Sequence, residues 1–201
     1  MEMTYIDEQI AKMLRRERMK EQKEEKIKQM EEEKAQIDLD EIEKGMVCGE
    51  CNVLGQVFVF ECKEILNHQV KVYLPNKDFK ILRSFADFYS AGDNAYGYGM
   101  NFTLSDDEME TWDIYKQRMK ESLEKGKIQL TWLEEGCILN NGLKIQYMEF
   151  LTISGLGTFH NHMLMVNTKY GKLTVNLNYE QKDEKYWKPI TEVMIKNIEI
   201  L

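Results

Sequence analysis

Hydrophobic residues recur along this chain in two patterns, and the change between them divides it. From Ile6 to Glu43 there is no Gly or Pro, and Glu, Lys, Arg, Gln and Met dominate; all are good helix formers. Glu24–Lys28 is a favourable i,i+4 pair, and Glu17–Lys20, Glu25–Lys28 and Glu31–Lys34 are i,i+3 pairs, each worth a few tenths of a kcal/mol. A continuous helix of this length reaches about 55 Å at a rise of 1.5 Å per residue. Its ends are amphipathic, with Ile6, Ile10, Met13 and Leu14 at one and Ile37, Leu39 and Ile42 at the other. The middle of the same seam holds Glu17, Lys20, Glu24, Glu31 and Lys34, too polar for a self-sufficient coiled coil. Gly45 is expected to end the helix.

Beyond Val53 the pattern shortens to period two, the mark of strands with one buried face. Val70, Val72 and Leu74 alternate with Lys71 and Tyr73, and Ile128, Leu130 and Trp132 with Gln129 and Thr131. Ile145, Tyr147, Leu151 and Ile153 share a face, as do Leu173, Val175, Leu177 and Tyr179. Turn signals at Asn140-Asn141-Gly142, Gly155-Leu156-Gly157 and Tyr170-Gly171 separate the runs. Such short links join antiparallel neighbours, so a meander is expected from about Lys127 to Tyr179. Tyr96, Tyr98, Met100 and Phe102 form an aromatic strand with glycines opposite. That stretch lacks the helix and the Lys of a phosphate cradle.

Two helices interrupt the strands. Ser105 with Glu108 reads as a capping box, followed by a face of Met109, Trp112, Tyr115, Met119 and Leu123 and a stop at Gly126. The second runs from about Asp183 to Asn197, with Trp187, Ile190, Met194 and Ile198 inward and Pro189 in its first turns. The expected fold is α+β, an antiparallel sheet with helices packed on it. The expected division is a charged helical arm over 1–46 and the α+β domain over 47–201.

Charge and cysteines then narrow the role. A formal net charge of -8 disfavours a nucleic-acid partner, since phosphate binding runs on surplus Lys and Arg. The N-terminus is acidic with no apolar run after it, and no stretch reaches the roughly 18 apolar residues of a membrane span. The expected location is the cytoplasm, with Cys48, Cys51, Cys62 and Cys137 as reduced thiols. Cys48-Gly49-Glu50-Cys51 precedes a strand, whereas a redox pair opens a helix. All four cysteines together are the alternative reading, a small zinc protein, although their spacing is not that of a zinc knuckle. His160 and His162 share a strand face, which permits a two-histidine metal contact. No carboxylate or third histidine stands at partner spacing, so partly exposed strand histidines are expected. No catalytic constellation and no cofactor site is legible.

One resemblance covers roughly residues 53–201. It rests on Val70-Lys-Val-Tyr-Leu-Pro75, a capped helix, a strand ending Leu133-Glu-Glu-Gly136, and Tyr147-Met-Glu-Phe150. Strands at His160-Asn-His-Met-Leu-Met165 and Lys172-Leu-Thr-Val-Asn-Leu-Asn178 follow, then Trp187-Lys-Pro-Ile190 running to Ile198-Glu-Ile200. In this order the chain resembles the PsbP/Mog/DcrB-like group. The resemblance implies a non-catalytic binding protein, an adaptor, chaperone or accessory factor of a bacterial secretion or assembly system. It offers no catalytic residues to carry over. The helical arm is an addition to that pattern, and its stripe Ile6, Ile10, Met13 and Leu14 is the expected partner-binding or self-association surface.

Overall fold

Where the chain alternates it builds strands, and the computed structural model describes Met19 and residues 37–75, 79–93, 97–106, 111–140 and 142–201. The stripe Ile6, Ile10, Met13 and Leu14, the body of the arm, Tyr96 and the Glu108–Met109 segment lie outside the described residues. The described order is α1 (Leu39–Cys48), β1 (Glu50–Val53), β2 (Gln56–Ile65), β3 (Val70–Pro75), β4 (Lys80–Ser84), β5 (Phe88–Asp93) and β6 (Tyr98–Ser105). Then come α2 (Trp112–Lys125), β7 (Gln129–Asn140), β8 (Leu143–Ser154), β9 (Gly157–Thr168), β10 (Gly171–Glu180), α3 (Glu184–Lys196) and β11 (Glu199–Ile200).

These strands form two sheets rather than one. The larger has the order β4-β5-β6-β10-β9-β8-β7 and the smaller β1-β2-β3-β11. The meander β7–β10 is present, each strand antiparallel to the next. β6 joins it on the far side of β10, with Tyr98 opposite Tyr179 and Phe102 opposite Val175. Residues 39–201 form one compact unit, and α1 runs across the boundary expected at 46/47.

α3 is the apolar link between the sheets. Its Trp187 stacks on Tyr98 of β6 at 4.1 Å between ring centroids and meets Phe58 of β2 edge-on at 5.1 Å. Tyr98 shares a hydrogen bond with Thr191 at 3.2 Å. Pro189 is buried within α3. α1 buries Ile42 and Met46, and its Glu43 accepts from Lys196 at the end of α3 and from Asn197 just beyond it. The opposite face of the large sheet is covered by α2. Trp112, Tyr115, Met119 and Leu123 pack there on Met148, Phe150 and Met163.

Two expected helix ends move. Gly45 does not stop α1, which continues to Cys48. A Cβ at Gly45 would sit 2.6 Å from the Glu50 carbonyl oxygen and 2.7 Å from Cys51 Cβ, so this glycine lets helix and strand touch. Gly49, at φ +98°, takes the left-handed turn instead. Ser105 does not cap α2; it ends β6, paired with Lys172. The cap is Thr111, whose Oγ1 accepts from Ile114 N at 3.3 Å. Gly126 does follow the helix, as its expected stop.

Candidate functional site

The hairpin β8–β9 turns at Gly155-Leu156 with Ser154 opposite Gly157, and that register places Glu149 directly across from His162. Since alternate residues share a face, His160 and His162 point the same way, and Glu149 stands beside both. The next hairpin puts Tyr179 opposite His160. A single helical turn after β10, Gln181–Asp183, then leads into α3 and Glu184. Four consecutive elements therefore bring Glu149, His160, His162, Tyr179 and Glu184 to one place.

Both histidines are only 2% exposed, not partly exposed as expected. β9 is an inner strand of the large sheet, and its central run is buried without alternation from His160 to Val166. The two imidazoles stack nearly parallel, 4.6 Å between centroids. Glu149 Oε2 lies 3.2 Å from His160 Nε2, and Glu149 Oε1 lies 3.3 Å from His162 Nδ1. His162 Nε2 meets the Tyr179 hydroxyl at 3.0 Å. His160 Nδ1 is buried without a hydrogen-bond partner; Glu184 Oε1 approaches it at 3.8 Å.

The electrostatics follow from these contacts. Hydrogen bonds from His160 and then His162 hold the Glu149 carboxyl well below the usual carboxylate range, outweighing the desolvation that acts the other way. Burial pushes the Tyr179 hydroxyl far above the ordinary tyrosine range, and the Glu184 charge adds to it, so it stays protonated. α3 presents Glu184, Lys188 and Glu192 at i, i+4 and i+8, one helix face. Glu134 of β7 is the cross-strand neighbour of Glu149.

Among the described residues, Glu149, His160 and His162 are the group whose ligand atoms, all within 4.8 Å of one another, could hold a metal ion. No carboxylate was legible at partner spacing because Glu149 is distant in sequence. Counting outward from the Gly155-Leu156 turn finds it. The four cysteines are not gathered with this group. Cys51 is buried in β1, where burial pushes its thiol up to about 11. Cys48, Cys62 and Cys137 are exposed and free.

A second feature is the outer edge of β7. Within the described residues β7 pairs with β8 alone, at the margin of the large sheet. Its first half carries a bulge between Trp132 and Glu134 and the acids Glu134 and Glu135. Lys116 of α2 reaches Glu135 at 2.7 Å. Its second half, Gly136-Cys137-Ile138-Leu139, has neither charge nor Pro. Leu139 there is 79% exposed. β4, at the other margin, also exposes Ile81 and Leu82, but it carries Lys80, Arg83 and a bulge. Among the described residues no helix is long and apolar enough to cross a membrane.

No protein-family model and no curated protein matches the chain by sequence. Solved structures do match by shape. Cyanobacterial PsbP (CyanoP) from Synechocystis sp. PCC 6803 shares 12% identity over 76% of this chain and 98% of that one, with a TM-score of 0.58. The immunity protein TplEi of the T6SS from Pseudomonas aeruginosa shares 12% identity over 64% of this chain and 47% of that one, at a TM-score of 0.43. PA94, a protein of unknown function from the same organism, shares 10% over 69% of this chain and 94% of that one, at 0.42.

Proposed function

We propose that this chain, which has the PsbP-like fold, is a non-catalytic binding protein of the cytoplasm. In this reading it is an adaptor or chaperone-like accessory factor, serving a secretion or assembly system, that holds an extended segment of a partner protein. The observation that carries the reading is the edge of β7. Sheet margins are ordinarily blunted by charge, Pro or bulges, because an open edge invites another strand. Both β4 and the first half of β7 have such guards. The stretch Gly136 to Leu139 has no charge and no Pro, and it exposes apolar side chains. An added strand gains main-chain hydrogen bonds for affinity, while alternate side chains supply specificity.

Four free cysteines support a reducing compartment. The stripe Ile6, Ile10, Met13 and Leu14 supplies, in the same reading, a second contact of the helix-in-groove kind. The test replaces Ile138 and Leu139 together by Lys. Cross-linking in native cells should give the wild-type chain one stoichiometric protein partner, absent from the double variant, with the melting temperature unchanged. A partner kept by the variant overturns the edge assignment. A wild-type chain with no stoichiometric partner overturns the adaptor reading.

A further inference from the structure

We infer that Glu149, His160 and His162 form a binding site for a divalent transition-metal ion of the zinc class. Two imidazoles and one carboxylate are the donor set for such ions, with at least one coordination position left open. An ion about 2.0–2.1 Å from each ligand in tetrahedral geometry sets the ligand atoms about 3.3 Å apart. The two imidazole nitrogens stand 3.2 Å and 3.3 Å from the Glu149 oxygens. The three ligand atoms lie within 4.8 Å of one another, so a bound ion would draw the two ring nitrogens together in front of the carboxylate.

The placement of the imidazole protons decides which arrangement is satisfied. If both rings donate to Glu149, His162 Nε2 accepts from Tyr179, but His160 Nδ1 is left as a buried lone pair facing the Glu184 carboxylate. Nothing donates to it, and lone pair and carboxylate repel. A metal ion reverses both tautomers. With His162 Nδ1 and His160 Nε2 on the metal, His162 Nε2–H donates to the Tyr179 hydroxyl and His160 Nδ1–H points to Glu184 Oε1. A ligating histidine whose other N–H meets a carboxylate or another acceptor is the usual second shell of such sites. Three ring nitrogens then have partners, and the fourth, His160 Nδ1–H, faces an acceptor at 3.8 Å that a small rotation of the Glu184 side chain brings into hydrogen-bond range. The surroundings also favour a cation: Glu134 sits across from Glu149, and Glu184 and Glu192 flank Lys188 on α3. The Glu149 side chain is 17% exposed and that of Glu184 39%, which gives an ion a way in.

The experiment titrates Zn(II), Co(II) or Ni(II) into the full chain after chelator treatment. One equivalent should bind, raising the melting temperature, and Zn(II) should shift the 15N resonances of His162 Nδ1 and His160 Nε2. Glu149→Gln should weaken binding by more than the roughly 10–100-fold typical of losing an outer partner, and Tyr179→Phe by about that factor. The ring-nitrogen spectrum uses the wild-type chain, so a variant that fails to fold leaves the test intact. No saturable binding by about 1 mM ion overturns the inference. So does metal that stays with the His160→Gln/His162→Gln chain and leaves on thiol alkylation, which places it on the cysteines.

Discussion

Gly45 shows how one residue type answers two physical needs. In sequence it stands at the end of a helical run, where a left-handed C′ glycine is common. In the structure it lies within α1, and its missing Cβ is what lets the helix touch β1, with Glu50 O at 2.6 Å and Cys51 Cβ at 2.7 Å from the place a Cβ would take. Helix propensity alone favours Gly45→Ala by about 1 kcal/mol. The clash is with backbone and a buried cysteine, neither able to swing away, and overpacking of this kind costs about 1–3 kcal/mol. Urea unfolding should therefore find Gly45→Ala less stable than wild type; a gain in stability would mean that helix and strand separate freely. Glu149 is the matching case at the candidate site. Local spacing hides it, because its partners arrive through hairpin register. Burial of His160 and His162 was equally hidden, since a strand covered on both faces shows no alternation to read.

Elements with one covered face were the legible ones. Val70–Pro75, the Val175–Tyr179 part of β10 and the aromatic strand at Tyr98–Phe102 fall where period two places them, because in each one face is buried more deeply than the other. The division into two sheets was not legible, since alternation reports a buried face and not which sheet owns it. Helix starts failed for a different reason. Ser105 and Glu108 have the spacing of a capping box, but the ladder from β6 to β10 extends to Ser105 opposite Lys172, and sheet pairing claims the residue first. Thr111, without an acid three positions on, does the capping. Thr111→Ala should cost about 1 kcal/mol, within the roughly 0.5–2 kcal/mol range for lost caps. Ser105→Ala should stay within about 0.5 kcal/mol. Chemical denaturation of the two variants side by side distinguishes them, and the reverse order would restore the capping box.

At the scale of the whole molecule, the charged arm and the alternating remainder separate by composition, yet composition does not mark where the folded unit begins. α1 continues the helical pattern of the arm, with acids in its first turn, but its packing belongs to the domain. Ile42 and Met46 are 3% and 1% exposed, and Glu43 accepts from both Lys196 and Asn197. Burying an Ile or Met side chain is worth about 1.5–3 kcal/mol, an upper figure because the unfolded chain already hides part of that surface. Losing both removes several kcal/mol from a domain whose whole stability is about 5–15 kcal/mol. A fragment starting at residue 39 should keep a cooperative melt close to that of the full chain. A fragment starting at residue 47 should melt far lower or fail to fold, and circular dichroism melts of both check the outcome. Equal melts would show that α1 is dispensable and that the unit begins after it. Loss of cooperativity in the longer fragment as well would show instead that residues before 39 are part of the core, and the arm could not then be a free binding element.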